Sequence, residues 1–185
     1  MANGPTPRRR IPNRPGEPVA GAPQDEATTL APMARQDLRD ELHKQVQASI
    51  AKGATALLGG APETGTHAGY PATILDQVVP GMPAYDEELF GPVAAILRVA
   101  DEAEAVRVAN DTSFGLAGSI WTRDIGRALR VAKAVRAGSL AINSNQVIHT
   151  KAPFGGYKMS GMGRENGMHA FESYTQVKNV YVDLS

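Results

Sequence analysis

The chain has 185 residues, 42% of them hydrophobic and 21% charged, which is enough to bury a sizeable core in one domain. Nineteen basic side chains balance nineteen acidic ones, so no global field recruits nucleic acid or an anionic membrane. There is no cysteine, which excludes disulfides, thiolate metal sites and thiol catalysis by this chain. The first residues carry arginines with no apolar run behind them, and no stretch nears the roughly 18 apolar residues of a membrane span, so a cytoplasmic protein is expected.

Residues 1–23 differ in composition from the rest. Pro5, Pro7, Pro12, Pro15, Pro18 and Pro23 remove backbone donors, with Arg8, Arg9, Arg10 and Arg14 between them. This stretch reads as a disordered, solvated leader rather than a nucleic-acid or targeting arm. Leu38, Leu42, Val46 and Ile50 then recur every four residues and stripe one face of a helix, with Gly53 placed to close it. Short strands are expected at Ala56–Leu58 and Ala72–Leu75, around a turn-rich excursion from Gly59 to Tyr70. Val93–Val99 reads as a buried strand. Asp101 and Glu104 have the spacing of a capping box and open a helix through Val106 and Ala109. Leu116–Thr122 is the next strand, Asp124 caps a helix that Gly138 closes, and Leu140–Asn143 is a strand again. Strands alternating with helices of this length predict an α/β fold with a parallel-type sheet. The tail from Thr175 to Asp183 changes to a two-residue period, the signature of a strand.

Generic catalytic motifs are lacking. Gly161 and Gly163 suggest a dinucleotide fingerprint, but the third glycine, Gly167, falls one residue late and no strand immediately precedes the run. His43, His67, His149 and His169 show no metal-ligand spacing, and His43 reads as a solvated residue on its helix. No metal site is expected. Two constellations remain: the acidic cluster Asp86-Glu87-Glu88 before Leu89-Phe90-Gly91-Pro92, and the glycine-rich run from Pro153 to Gly163 with Phe154 as its aromatic anchor. A carboxylate beside an aromatic ring can accept paired hydrogen bonds from a diol while the ring supplies a flat wall. Read from residues alone, the first is a helical turn before a strand and the second a tight irregular loop.

The same segments resemble a known family. Glu87-Glu88-Leu89-Phe90-Gly91-Pro92-Val93, Asn110-Asp111-Thr112-Ser113-Phe114-Gly115-Leu116, and Asn143 followed by Pro153-Phe154-Gly155-Gly156-Tyr157-Lys158-Met159-Ser160-Gly161-Met162-Gly163-Arg164-Glu165 are similar to signatures of aldehyde dehydrogenases. The resemblance runs from about Asp25 to the end and leaves the leader unmatched. Leu30–Arg35 and Asp37–His43 are similar to bacterial succinate-semialdehyde dehydrogenases.

The resemblance implies an enzyme in which a cysteine thiolate attacks an aldehyde, hydride leaves for NAD or NADP, and a glutamate-activated water releases the acid. It also implies that the cofactor domain, the glutamate base and the nucleophile lie upstream of the matching part. Residues 24–171 are then the C-terminal part of the catalytic domain, and residues 172–185 an oligomerisation strand. By the same likeness Glu88 holds the nicotinamide ribose hydroxyls and Phe90 lies beside the nicotinamide. Phe154 stands at the substrate-tunnel mouth, with Ile148 and His149 on the neighbouring loop. No catalytic residue carries over, and losing a nucleophile typically costs on the order of 10⁶ in turnover. Three readings stand: an inactive enzyme portion completed by a separately encoded N-terminal half, a non-catalytic module docking on intact aldehyde dehydrogenase subunits, or a truncated product without function. Its partners are accordingly a homo-oligomer or such a half, with a small aldehyde as the complete enzyme's substrate and neither nucleic acid nor membrane involved.

Overall fold

The computed structural model describes residues 20–62 and 68–185. Residues 1–19, most of the proposed leader, and His67 lie outside them. The chain divides into two compact units, one ending at Arg98 and one spanning Val99–Ser185.

The first unit is built on helix α1, Gln36–Ala51. Its apolar stripe is buried, with Leu42 2% and Val46 0% exposed. Gly53, at φ +111, provides the turn that ends it. The expected strands follow as β1, Thr55–Leu58, and β2, Thr73–Asp76, paired antiparallel. A single helical turn, α2 at Pro83–Asp86, leads to β3, Val93–Ala95, which pairs parallel with β2. The sheet order is β1-β2-β3, so β1 is an edge with every residue exposed, Leu57 and Leu58 included. The expected strand to Val99 is shorter than its apolar run. Beyond Ala95 the backbone still bonds β2, through Ile96 N–H to the Leu75 carbonyl.

Leu42, Val46, Tyr70, Leu75, Val78 and Met82 form the core between helix and sheet. Two polar devices complete it. Ser49, fully buried, donates its hydroxyl to the Gln45 carbonyl at 2.8 Å and accepts the Ala84 N–H at 2.9 Å, fastening α2 to α1. Asp76, 6% exposed, accepts the Arg98 guanidinium at the end of β2, and the pairing raises the arginine pKa above its ordinary value. His43 departs from the expectation of a solvated residue. It is half-buried, with Nδ1 3.3 Å from the Tyr70 hydroxyl, and burial pushes that phenol up to about 12.

The second unit carries α3, Glu102–Asn110; β4, Phe114–Gly115; β5, Ala117–Ile120; α4, Ile125–Ala134; β6, Ser139–Ile142; β7, Tyr157–Lys158; and α5, His169–Tyr174. The capping expectations hold: Asp101 accepts the Glu104 N–H at 2.8 Å and Asp124 the Arg127 N–H at 3.0 Å. Glu104 reaches back to the Ala100 N–H rather than to that of Asp101. α4 stops at Ala134, before Gly138, because the Asn110 amide captures the chain there, donating to the Ala134 carbonyl and accepting the Arg136 N–H. β5 and β6 pair parallel, as the alternation of elements predicts, whereas β4 and β7 form a two-residue antiparallel ladder. The described strands thus make three small sheets of mixed sense rather than one parallel sheet. Thr175–Ser185 is exposed throughout and is assigned no strand. No helix among the described residues is long and apolar enough to cross a membrane.

Ser49→Ala leaves the buried Ala84 N–H without its acceptor and is expected to cost about 1–3 kcal/mol in urea unfolding. In the second unit, Arg130 and Arg127 hold the Glu102 carboxyl below its ordinary 4.5, and the Arg127 N–H holds Asp124 below its ordinary 3.8. A carboxyl depressed on folding contributes stability above its unfolded pKa and loses it as the pH falls through the folded value. The melting temperature is therefore expected to drop as the pH is taken below about 4.5, and the double variant E102Q/D124N to drop less in circular-dichroism melts.

Candidate functional site

The candidate residues fall in both units. In the first, Glu87, Glu88 and Phe90 follow the α2 turn. Gln45 of α1 fixes this segment from behind, donating its side-chain amide to the Glu87 carboxylate at 2.8 Å and to the Glu88 carbonyl at 3.2 Å. Gly91 lets the segment lie against the helix, since a Cβ there would meet the Leu42 side chain at 2.4 Å. Backbone anchoring of this kind leaves the Glu88 carboxylate exposed and the Phe90 ring 68% exposed. An acceptor pair and an apolar plane, presented on a braced loop, are chemically suited to a vicinal diol and a planar heterocycle.

In the second unit, Ile148, His149 and Phe154 lie on the loop between β6 and β7. Ile148 is 55% exposed, His149 is exposed and Phe154 half-buried. The loop is fastened at several points. The His149 carbonyl accepts the Ala152 N–H, its Nδ1 accepts the Lys151 N–H, and the Thr150 carbonyl accepts the Gly167 N–H. Phe154 and Glu165 exchange two backbone hydrogen bonds of 2.7 Å. The aromatic anchor is thus held by main chain, leaving its side chain at the loop surface.

The glycine-rich run explains itself sterically. A Cβ on Gly138 would fall 1.7 Å from the Gly155 carbonyl oxygen, one on Gly155 2.6 Å from the Gly163 oxygen, and one on Gly156 2.5 Å from Ser160. Three stretches of backbone therefore approach one another more closely than any side chain permits. Polar side chains of the run close the same contact. The Lys158 ammonium donates to the Asn110 carbonyl at 2.9 Å and the Thr112 carbonyl at 2.8 Å. The Ser160 hydroxyl accepts the Gly115 N–H, and the Arg164 guanidinium donates to the Gly156 and Gly163 carbonyls. Asn143 pairs its side-chain amide with both backbone groups of Thr122. Most of the motif residues are fasteners rather than chemistry, joining residues 110–116 to residues 153–165.

A feature the sequence reading did not isolate is a shallow, open concavity of about 620 Å³ lined by Trp121, Thr122, Arg123, Ile125, Ile142 and Asn143. It lies at the carboxyl ends of β5 and β6, where parallel strands generally present their ligands. Its one sequence signal was the single tryptophan placed between a strand and a helix cap. Among the described residues no group of three or more histidine and carboxylate side chains is placed to hold a metal ion.

The exposed carboxylate–aromatic pair and the glycine-threaded loop sit in an α/β architecture, and the sequence places the chain in a known family. The chain belongs to the aldehyde dehydrogenase family, matching it over residues 12–180, which extends upstream of the Asp25 that the motifs reached. It is 43% identical over 163 residues to the succinate semialdehyde dehydrogenase [NAD(P)+] Sad of Escherichia coli, covering 88% of this chain and 35% of that protein. It is equally, 43%, identical over 168 residues to a betaine aldehyde dehydrogenase of Brucella anthropi, covering 89% of this chain and 34% of that one. The NAD+ complex of a Bacillus cereus aldehyde dehydrogenase superimposes with a TM-score of 0.86 at 33% identity, over 91% of this chain and 34% of that chain. The chain thus spans about a third of the length of the relatives it matches.

Gly138→Ala is expected to push the β6 entry away from Gly155 and cost about 3 kcal/mol or more, because backbone cannot yield as a side chain does. Gly161→Ala, which meets nothing within 4 Å but sits at φ +111, is expected to cost only about 1 kcal/mol. Paired chemical-denaturation curves measure the difference.

Proposed function

We propose that this chain is the C-terminal, cofactor- and substrate-facing portion of an NAD(P)+-dependent aldehyde dehydrogenase and is inactive by itself. One observation carries the reading: a sequence that matches the family from residue 12 to residue 180 contains no cysteine, and so no thiol to form the covalent adduct. In this reading residues 24–171 belong to the catalytic domain and residues 172–185 would supply the assembly strand, although 172–174 end helix α5 and 175–185 form no strand in this structure.

Glu88 would accept the ribose hydroxyls of the dinucleotide, and Phe90 would wall its nicotinamide; both are exposed on a loop that α1 braces, and so are free to do so. When bound, the dinucleotide accepts the hydride. This chain alone does not retain it. A charge-assisted hydrogen bond contributes about 1.5–3 kcal/mol, against about 4–15 kcal/mol lost in association. Phe154, Ile148 and His149 form the wall on the substrate side, on a loop whose backbone is tied at Glu165 and Gly167. The aldehyde is assigned as a semialdehyde acid, supported by the likeness to the E. coli relative and by the segment from Leu30 to His43.

A second reading rests on the tail. Val177, Val180, Tyr181 and Val182 are 104%, 72%, 84% and 66% exposed, an apolar strand sequence with no cover, which suits docking on an intact subunit of the family.

The purified chain is expected to form no NADH from succinate semialdehyde or betaine aldehyde. Co-expression with the upstream part of the E. coli relative is expected to restore NADH formation, with succinate semialdehyde preferred. Turnover by the chain alone would defeat the proposal, and a preference for betaine aldehyde would defeat the substrate assignment. Deleting residues 175–185 is expected to abolish co-purification with an intact family member under the second reading.

A further inference from the structure

The second unit lacks an apolar core of its own. Its only fully or nearly buried hydrophobic side chains among the described residues are Ala128 at 0% and Ala141 at 8% exposure. Its large apolar groups lie outside instead: Trp121 is 68% exposed, Ile125 65% and Leu129 51%. These three are contiguous. Trp121 and Ile125 line the same concavity, and Leu129 stands one turn along α4 from Ile125 on the same helix face. The sheet beside them is a pair of parallel strands, an arrangement that proteins cover on both faces. Arg123, exposed on the rim, has no carboxylate partner among the described residues, whereas Arg127 and Arg130 on α4 both pair with Glu102.

We infer that the concave patch of Trp121, Ile125 and Leu129 receives an apolar segment, bearing a carboxylate for Arg123, from the portion of an aldehyde dehydrogenase that this chain does not span. The inference rests on the reading of the chain as part of such an enzyme. The relatives supply the occupant, because about two thirds of their length has no counterpart here. The concavity of about 620 Å³ has room for several large side chains of that segment. The guanidinium selects its charge, since a bidentate carboxylate is its best-matched partner.

The chain contains one tryptophan, which makes the patch its own reporter. The full chain, labelled with fluorotryptophan and tagged, is co-expressed with the upstream two thirds of the E. coli relative and purified through its tag. The expected result is a complex in which the fluorine resonance moves and acrylamide quenching falls severalfold relative to the free chain. The double variant I125D/L129D is expected to weaken the complex about thirtyfold, the scale of a lost interfacial hot spot. R123Q is expected to weaken it less, through lost charge pairing alone. The helical spectrum and melting temperature of the free chain should stay unchanged in both, because these side chains are exposed. A complex whose tryptophan signal is unmoved, or which I125D/L129D leaves intact, overturns the patch while leaving the portion reading in place. Absence of any complex overturns both.

Discussion

The second unit depends on the direct approach of one backbone to another at Gly138 and Gly155. Apolar burial holds the first unit together, where Leu42, Val46 and Leu75 are almost wholly withdrawn from solvent. The second has no equivalent. Its segments are joined by main chain packed on main chain, and by Lys158, Ser160, Arg164 and Asn110 reaching across to carbonyls and amides. Such contacts are directional and contribute modestly each, about 0.5–1.5 kcal/mol net for a neutral pair and about 1.5–3 kcal/mol where the lysine or arginine donates. They fix geometry well but leave overall stability to other surfaces.

That division bears on how the candidate site is presented. In both units the side chains with chemical character stand on loops whose backbone is anchored from behind. Gln45 anchors the loop of Glu88 and Phe90, and Glu165 that of Phe154. Such anchoring leaves the Glu88 carboxylate and the Phe90 ring exposed, whereas His149 accepts a backbone N–H through Nδ1 and Phe154 is half-buried. It also explains why so much of the family signature has no chemical role of its own: glycines admit the close approach and polar residues lock it.

The regular elements were legible because their signals are local. The four-residue stripe from Leu38 to Ile50, the Asp101 and Asp124 caps and the β5 and β6 apolar runs each specify structure within a dozen residues. What could not be read depends on partners distant in the chain. β4 and β7 are two residues each, too short for any periodicity, and are held in register by Lys158 reaching back to Asn110 and Thr112. Gly138 looked like a helix terminator, whereas its role is set by a carbonyl at position 155. His43 looked solvated because Tyr70, which half-covers it, lies across the excursion after β1. Glu88, Phe90, Ile148, His149 and Phe154 were found through motif resemblance, whereas Trp121 belongs to none of the motifs that carried the resemblance and emerged only from the concavity.

The edge strand β1 carries one more implication. Leu57 and Leu58 are exposed on a strand that, among the described residues, is paired along one margin alone. A bare margin of this kind is a template for another copy of itself. How concentrated a solution of the chain stays clear is then governed at Thr55–Leu58, and lysine in place of Leu57 is the least invasive way to blunt it.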